Sequence, residues 1–291
     1  MNKFLERLQS GEILIADGST GASLQKMGLK PGIPPEDLVF DATDMVLQLE
    51  GDFVAAGSDI ILTDTFGGTR VRMKESKYVE RAPEVNKRAA ELARQAASRW
   101  AGVLVAGSIG PTGLLMKPYG PLSVEEATAT FAEQAKALAE GGVDLLVIET
   151  MFAFEEADAA FKGARSVTDL PIVVSFSYDQ GVRSMMGVKP ADMFKRYKEM
   201  GAVMIGANCG TTLENMEKIQ QEYAAMEPGF PLWAKPNAGQ PHLVDGVTTF
   251  DVTPEQMAEY AVKYVALGAR VVGGCCGNMP GHIAAIAKAV K

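Results

Sequence analysis

An α/β fold, and within it a (β/α)8 TIM barrel, is what the sequence predicts. Three observations carry this. Eight short apolar runs recur along the chain, stretches of helical composition separate them, and each run is followed by a polar or metal-binding residue. The length of 291 residues also suits one barrel, a fold that typically takes about 250 residues. The whole of 1–291 is therefore expected to form a single domain.

The runs lie at 13–16, 59–62, 103–106, 144–148, 171–174, 203–206, 231–234 and 269–272. Most are rich in Val, Ile and Leu, as strands buried on both faces should be. Helices are expected at 82–99, rich in Ala, Glu, Lys and Arg, at 124–140 and at 254–267. Ser123 with Glu126, and Thr253 with Gln256, read as capping boxes. Gly57, Gly141, Gly201 and Gly268 precede strands and suit left-handed helix ends. A doubly wound open sheet is the runner-up, but no GxGxxG follows the first strand to favour it.

Composition narrows the function. Net charge is −8 without a Lys/Arg run, which argues against a nucleic-acid groove or an anionic membrane partner. No apolar stretch at the N-terminus has signal-peptide length and no run reaches the roughly 20 residues of a spanning helix. A cytoplasmic protein is expected. The chain has only three cysteines, so a disulfide framework is not expected.

A barrel places active residues at the C-terminal ends of its strands. Those positions hold Asp17-Gly18, Thr63-Asp64-Thr65, Ser108, Glu149-Thr150, Ser175 and Ser177, Asn208-Cys209, Asn237 and Cys275-Cys276. All three cysteines are in this set, on strands six and eight, whose ends approach across the barrel mouth. Zinc prefers sulfur and nitrogen ligands, and catalytic sites keep one position open. Three thiolates fit that pattern. Buried cysteine is often inert, however, and spacing alone leaves zinc, redox chemistry and inert burial open.

At these residues the chain resembles the zinc-dependent homocysteine S-methyltransferases, most of all the homocysteine-binding module of cobalamin-dependent methionine synthases. The marks are IADGSTGASLQ at 15–25, TDTFGGT at 63–69, GSIGPTG at 107–113, DLLVIET at 144–150, GANCG at 206–210, KPNAGQP at 235–241 and VGGCCGNMPGHIAAI at 272–286. The resemblance implies a methyltransferase that converts homocysteine to methionine on a zinc ion held by Cys209, Cys275 and Cys276. Asn237 is implied as a fourth ligand in the substrate-free state. Asp17, Gly18 and Glu149 match positions near the amino-acid end of homocysteine, with Thr65 and Ser108 supported mainly by placement. Two departures stand out. Ser19 and Ala22 vary the first motif, and Asp64 stands where Asn is common. The methyl donor is expected to arrive from outside this chain, as methylcobalamin or a methylated corrinoid on a separate protein. Alternatives are another donor (S-methylmethionine or a methylated amine), another thiol acceptor, or a metal-storing or redox-sensing barrel without turnover.

Overall fold

The computed structural model describes residues 2–210, 212–244 and 247–291. Eight parallel strands form the barrel: β1 (Leu14–Ile15), β2 (Ile60–Leu62), β3 (Leu104–Ile109), β4 (Leu145–Met151), β5 (Ile172–Phe176), β6 (Met204–Asn208), β7 (Leu232–Lys235) and β8 (Ala269–Val272). Each pairs with its neighbours in sequence from β2 through β8, and β1 pairs with β8. A bridge between Ala16 and Ile60 joins β1 to β2 and closes the ring. Helices connect the strands along the outside. No helix among the described residues is long and apolar enough to cross a membrane.

The uniform hydrophobicity of the runs follows from burial on both faces. Successive strand residues point to opposite sides. Leu14 and Ala16, Ile60 and Leu62, Leu104 and Ala106, and Leu145 and Val147 pack together inside the ring, with Val173, Met204, Trp233 and Val271. The intervening Ile15, Ile61, Val105, Leu146 and Ile148 pack outward with the helices. Trp233 is thus core. Phe4, on the N-terminal helix Lys3–Gln9, joins the inner cluster.

Helix ends follow local chemistry. The helix Val124–Glu140 begins at Ser123, with both halves of the box made by Ser123 and Glu126. Thr253 and Gln256 do the same for Pro254–Ala266. The helix Ala82–Ala97 stops two residues short of the expected 99. The left-handed expectation holds at Gly57, Gly201 and Gly268 but not at Gly141, whose φ is −76°. Gly142 takes the left-handed turn instead, at φ +89°. Gly141 answers a different need: a Cβ there would lie 2.5 Å from Ala90 Cβ and 2.7 Å from Lys87 O.

Strands β3 to β6 run two or three residues past their apolar stretches. Backbone pairing continues after the hydrophobic code ends, as in Ser108 with Val147 and Ser175 with Gly206. These extensions carry Ser108, Glu149, Thr150, Ser175 and Asn208 to the mouth of the barrel.

Candidate thiol and metal site

Cys209 follows β6 directly, and Cys275 and Cys276 follow β8 after two glycines. Their three sulfurs lie within 4.8 Å of one another, and Cys209 Sγ is 3.5 Å from Cys276 Sγ. None is in a disulfide. Backbone contacts set this geometry. Cys275 N–H donates to Pro236 O at 2.8 Å, and Cys209 N–H to Lys235 O at 3.2 Å. Cys276 N–H donates to Asn237 Oδ1 at 3.0 Å. Cys209 adopts φ +58° and Thr150 φ +62°, a left-handed conformation that costs a non-glycine residue about 1 kcal/mol or more. Asn208 offsets part of this, since its Oδ1 accepts the Thr150 N–H and the Ser175 hydroxyl while its Nδ2 reaches Thr150 Oγ1.

Crowding and burial hold the thiols protonated. In Cys209 the lowering by Cys275 is outweighed by Cys276 and burial, and in Cys276 the lowering by Cys209 is outweighed by Cys275; both are pushed up to about 12. Cys275 is raised by its hydrogen bond with Cys209 and by burial. A cation bound here has to replace those protons. The donor set suits zinc. Tetrahedral ligation at Zn–S of about 2.3 Å puts sulfurs about 3.8 Å apart, near the 3.5 Å separation of Cys209 and Cys276.

The triad opens onto a cavity of about 590 Å³ whose wall includes Asp17, Gly18, Ser108, Glu149 and Lys235. Glu149 is buried, with its Oε1 accepting from the Ser108 hydroxyl at 2.6 Å. Burial raises its pKa, against the pull of Lys235 and Ser108. Asp17 is fully engaged: Oδ2 accepts the Leu62 N–H and Oδ1 the Lys235 ammonium, each at 2.6 Å. Burial lowers the Lys235 pKa, but Asp17 and Glu149 more than reverse this, so Lys235 stays charged. Gly18 is obligatory, because a Cβ there would lie 2.3 Å from Asn278 O.

Of the residues expected at the site, Asp17, Gly18, Ser108, Glu149 and the cysteines reach this wall. Thr65 lies behind it, fully buried, with its hydroxyl donating to Ser108 O at 2.8 Å. Asn237 stands beside the triad, its Oδ1 on the Cys276 N–H. Asp64 also faces the cavity, yet it is only 3% exposed and Oδ2 has no partner. Burial and nearby Glu36 raise it well above the ordinary range. Lys235 was not foreseen. It ends an apolar strand, the same signal that marks Glu149, but the sequence reading places the polar terminus of that strand two residues on, at Asn237.

The sequence profile of the homocysteine S-methyltransferase family matches residues 14–290. The chain belongs to that family. As a homocysteine S-methyltransferase it acts on a small-molecule thiol. The metallated form of the Escherichia coli homocysteine methyltransferase MmuM has the same fold: TM-score 0.83, 24% identity, covering 99% of each chain. Its apo form gives a TM-score of 0.79 over the full length of both. A methyltransferase from Methanosarcina mazei is more distant, at TM-score 0.64 and 12% identity, covering 99% of this chain and 96% of that one.

Proposed function

We propose that this homocysteine S-methyltransferase makes methionine by moving a methyl group to the thiol of homocysteine, with zinc held by Cys209, Cys275 and Cys276. The observation that supports this is the convergence of three thiols on the wall of a cavity that also carries Glu149 and Lys235. Zinc, when bound, would favour the thiolate form of a substrate thiol beside it. Asn237 is proposed as a further ligand in the absence of substrate.

The chain's own residues then bind and align. Glu149 is proposed to take the substrate ammonium, oriented by the Ser108 hydroxyl. Asp17 acts beside it through Lys235, and Gly18 lets the backbone of the wall pack against Asn278 and Phe53. Thr65 supports Ser108 from behind. In the transfer, a substrate sulfur lone pair forms the new S–CH3 bond while the pair of the old methyl bond leaves with the donor. No oxyanion develops, so alignment is the main contribution, and holding reactants in place can supply roughly 7–11 kcal/mol.

The proposed donor is a methylated corrinoid on a separate protein. The cavity exceeds what one small amino acid fills, and Ile33, Pro34, Phe66 and Leu114 line it beyond the thiol end. A second reading has one specific support: the buried carboxyls of Asp64 and Glu36 line that wall, and a small cationic donor such as S-methylmethionine or a methylated amine would draw off the protons that burial holds on them. Supplying methylcobalamin, S-methylmethionine and a methylated amine side by side to zinc-loaded protein tests both. Methionine formed with none of them, at one zinc per chain, would overturn the proposed activity.

Glu149→Gln is expected to weaken homocysteine roughly 20-fold, the scale of a charge-assisted hydrogen bond. The same change should hardly alter binding of 4-mercaptobutanoate, which has no ammonium. Equal losses for both thiols would remove Glu149 from recognition.

A further inference from the structure

Lys235 is a buried ammonium with too few partners. It is 2% exposed and lies on the cavity wall. One of its three N–H groups is spent on Asp17 Oδ1 at 2.6 Å. Among the described residues no other hydrogen bond reaches Nζ, and the Trp233 ring lies 6.0 Å away. A lysine held out of water normally satisfies its donors, because an unmet buried donor is costly. Asp17 cannot be the whole explanation. It already accepts the Leu62 N–H, and the two remaining N–H groups of Lys235 still lack acceptors.

We propose that Lys235 reads the carboxylate of the thiol substrate. This rests on the assignment of homocysteine to the cavity and deepens it. Glu149 and Lys235 stand on the same wall with opposite charge, and an amino acid presents a matching ammonium and carboxylate. Of the backbone donors next to Asp17, the Ser19 N–H is already spent on Asn278 O at 2.9 Å. A carboxylate at Lys235 meets the idle N–H groups and balances the second of the two acids around the ammonium. Lys235 is then a specificity residue, selecting carboxylated thiols over simple ones. Its placement next to the triad also fixes the distance at which such a carboxylate can sit from the reacting sulfur. Register pairs Lys235 with Asn208, the residue just before Cys209.

The test is equilibrium binding by calorimetry to zinc-loaded protein, using four thiols that share one three-carbon stem. Homocysteine and 3-aminopropane-1-thiol differ by the carboxylate, as do 4-mercaptobutanoate and propane-1-thiol. In the native protein the carboxylated member of each pair is expected to bind roughly 30-fold tighter, as one charge-assisted contact provides. In Lys235→Met both ratios should fall to near one, while the two thiols without carboxylate bind as before or better. Asp17→Asn with Lys235→Met gives the same readout without an unpaired Asp17, should the single variant not fold. Ratios unchanged in the variants, or four thiols weakened by one common factor, would show a counterion to Asp17 and nothing more. A native protein indifferent to the carboxylate would equally overturn the proposal. Comparing homocysteine with 4-mercaptobutanoate reports separately on the amino-acid assignment. Loss of that preference would sink the homocysteine reading while leaving the role of Lys235 intact.

Discussion

Cys276→Ser is expected to lose the bound metal and to lower methyl transfer by roughly a thousandfold or more, as removal of a metal-activated nucleophile does. Serine keeps the size and the backbone contacts, including the Cys276 N–H to Asn237 bond, but its hydroxyl does not ionise to a ligand near neutral pH. Two thiols remain, too few for a stable three-sulfur site. Elemental analysis for zinc, circular dichroism for the fold and a single-turnover rate measure the three consequences separately. A folded variant with one zinc per chain and native turnover would remove Cys276 from the ligand set. Cys209→Ala should behave alike, because its sulfur lies within the same cluster.

The second large effect concerns two buried acids that the proposed transfer from a corrinoid does not use. Glu50 is 2% exposed and neither of its carboxylate oxygens has a partner. Asp64 is nearly as buried, with Oδ2 unpartnered. Burial raises both, helped at Asp64 by Glu36 and at Glu50 by Asp64 and Asp17. In the unfolded chain they titrate near 4. The folded state therefore keeps protons that the unfolded state releases. Their contribution to stability is fully present below about pH 4 and is lost as pH rises through the folded values. Glu50→Gln with Asp64→Asn removes that loss. The double variant is expected to exceed the native protein by about 3 kcal/mol at pH 8, with the gap closing towards pH 4. Urea unfolding at several pH values checks this. A gap that does not change with pH would mean that the two acids ionise as readily in the folded chain as in the unfolded one.

The barrel was legible because its code is simple. Eight two-sided strands demand eight apolar runs, and the helix caps at Ser123 and Thr253 are local. The cysteine triad was legible for a different reason: strand ends converge in a closed barrel, whatever lies between them in sequence. What escaped depended on partners. Gly141 is right-handed because Ala90 and Lys87 press on it, which no local pattern reveals. Thr65 carried the same strand-end signal as Ser108, yet its hydroxyl turns away to the Ser108 carbonyl. Lys235 needed Asp17, 218 residues earlier, to be stable at the end of an apolar strand. The strained backbone at Cys209 and Thr150 is likewise set by Asn208 bridging three strands.

Cys209 and Cys276 stand 67 residues apart in the chain, and all of β7 and the paired strands His242–Val244 and Val247–Thr249 lie between them. One cation shared by both would therefore act as a clasp on the last quarter of the molecule. It would tie that segment into a ring and deny the unfolded polymer much of its freedom, in the way a long cross-link does. Melting temperature would then report metal supply, and a chelator would loosen architecture as well as stop turnover.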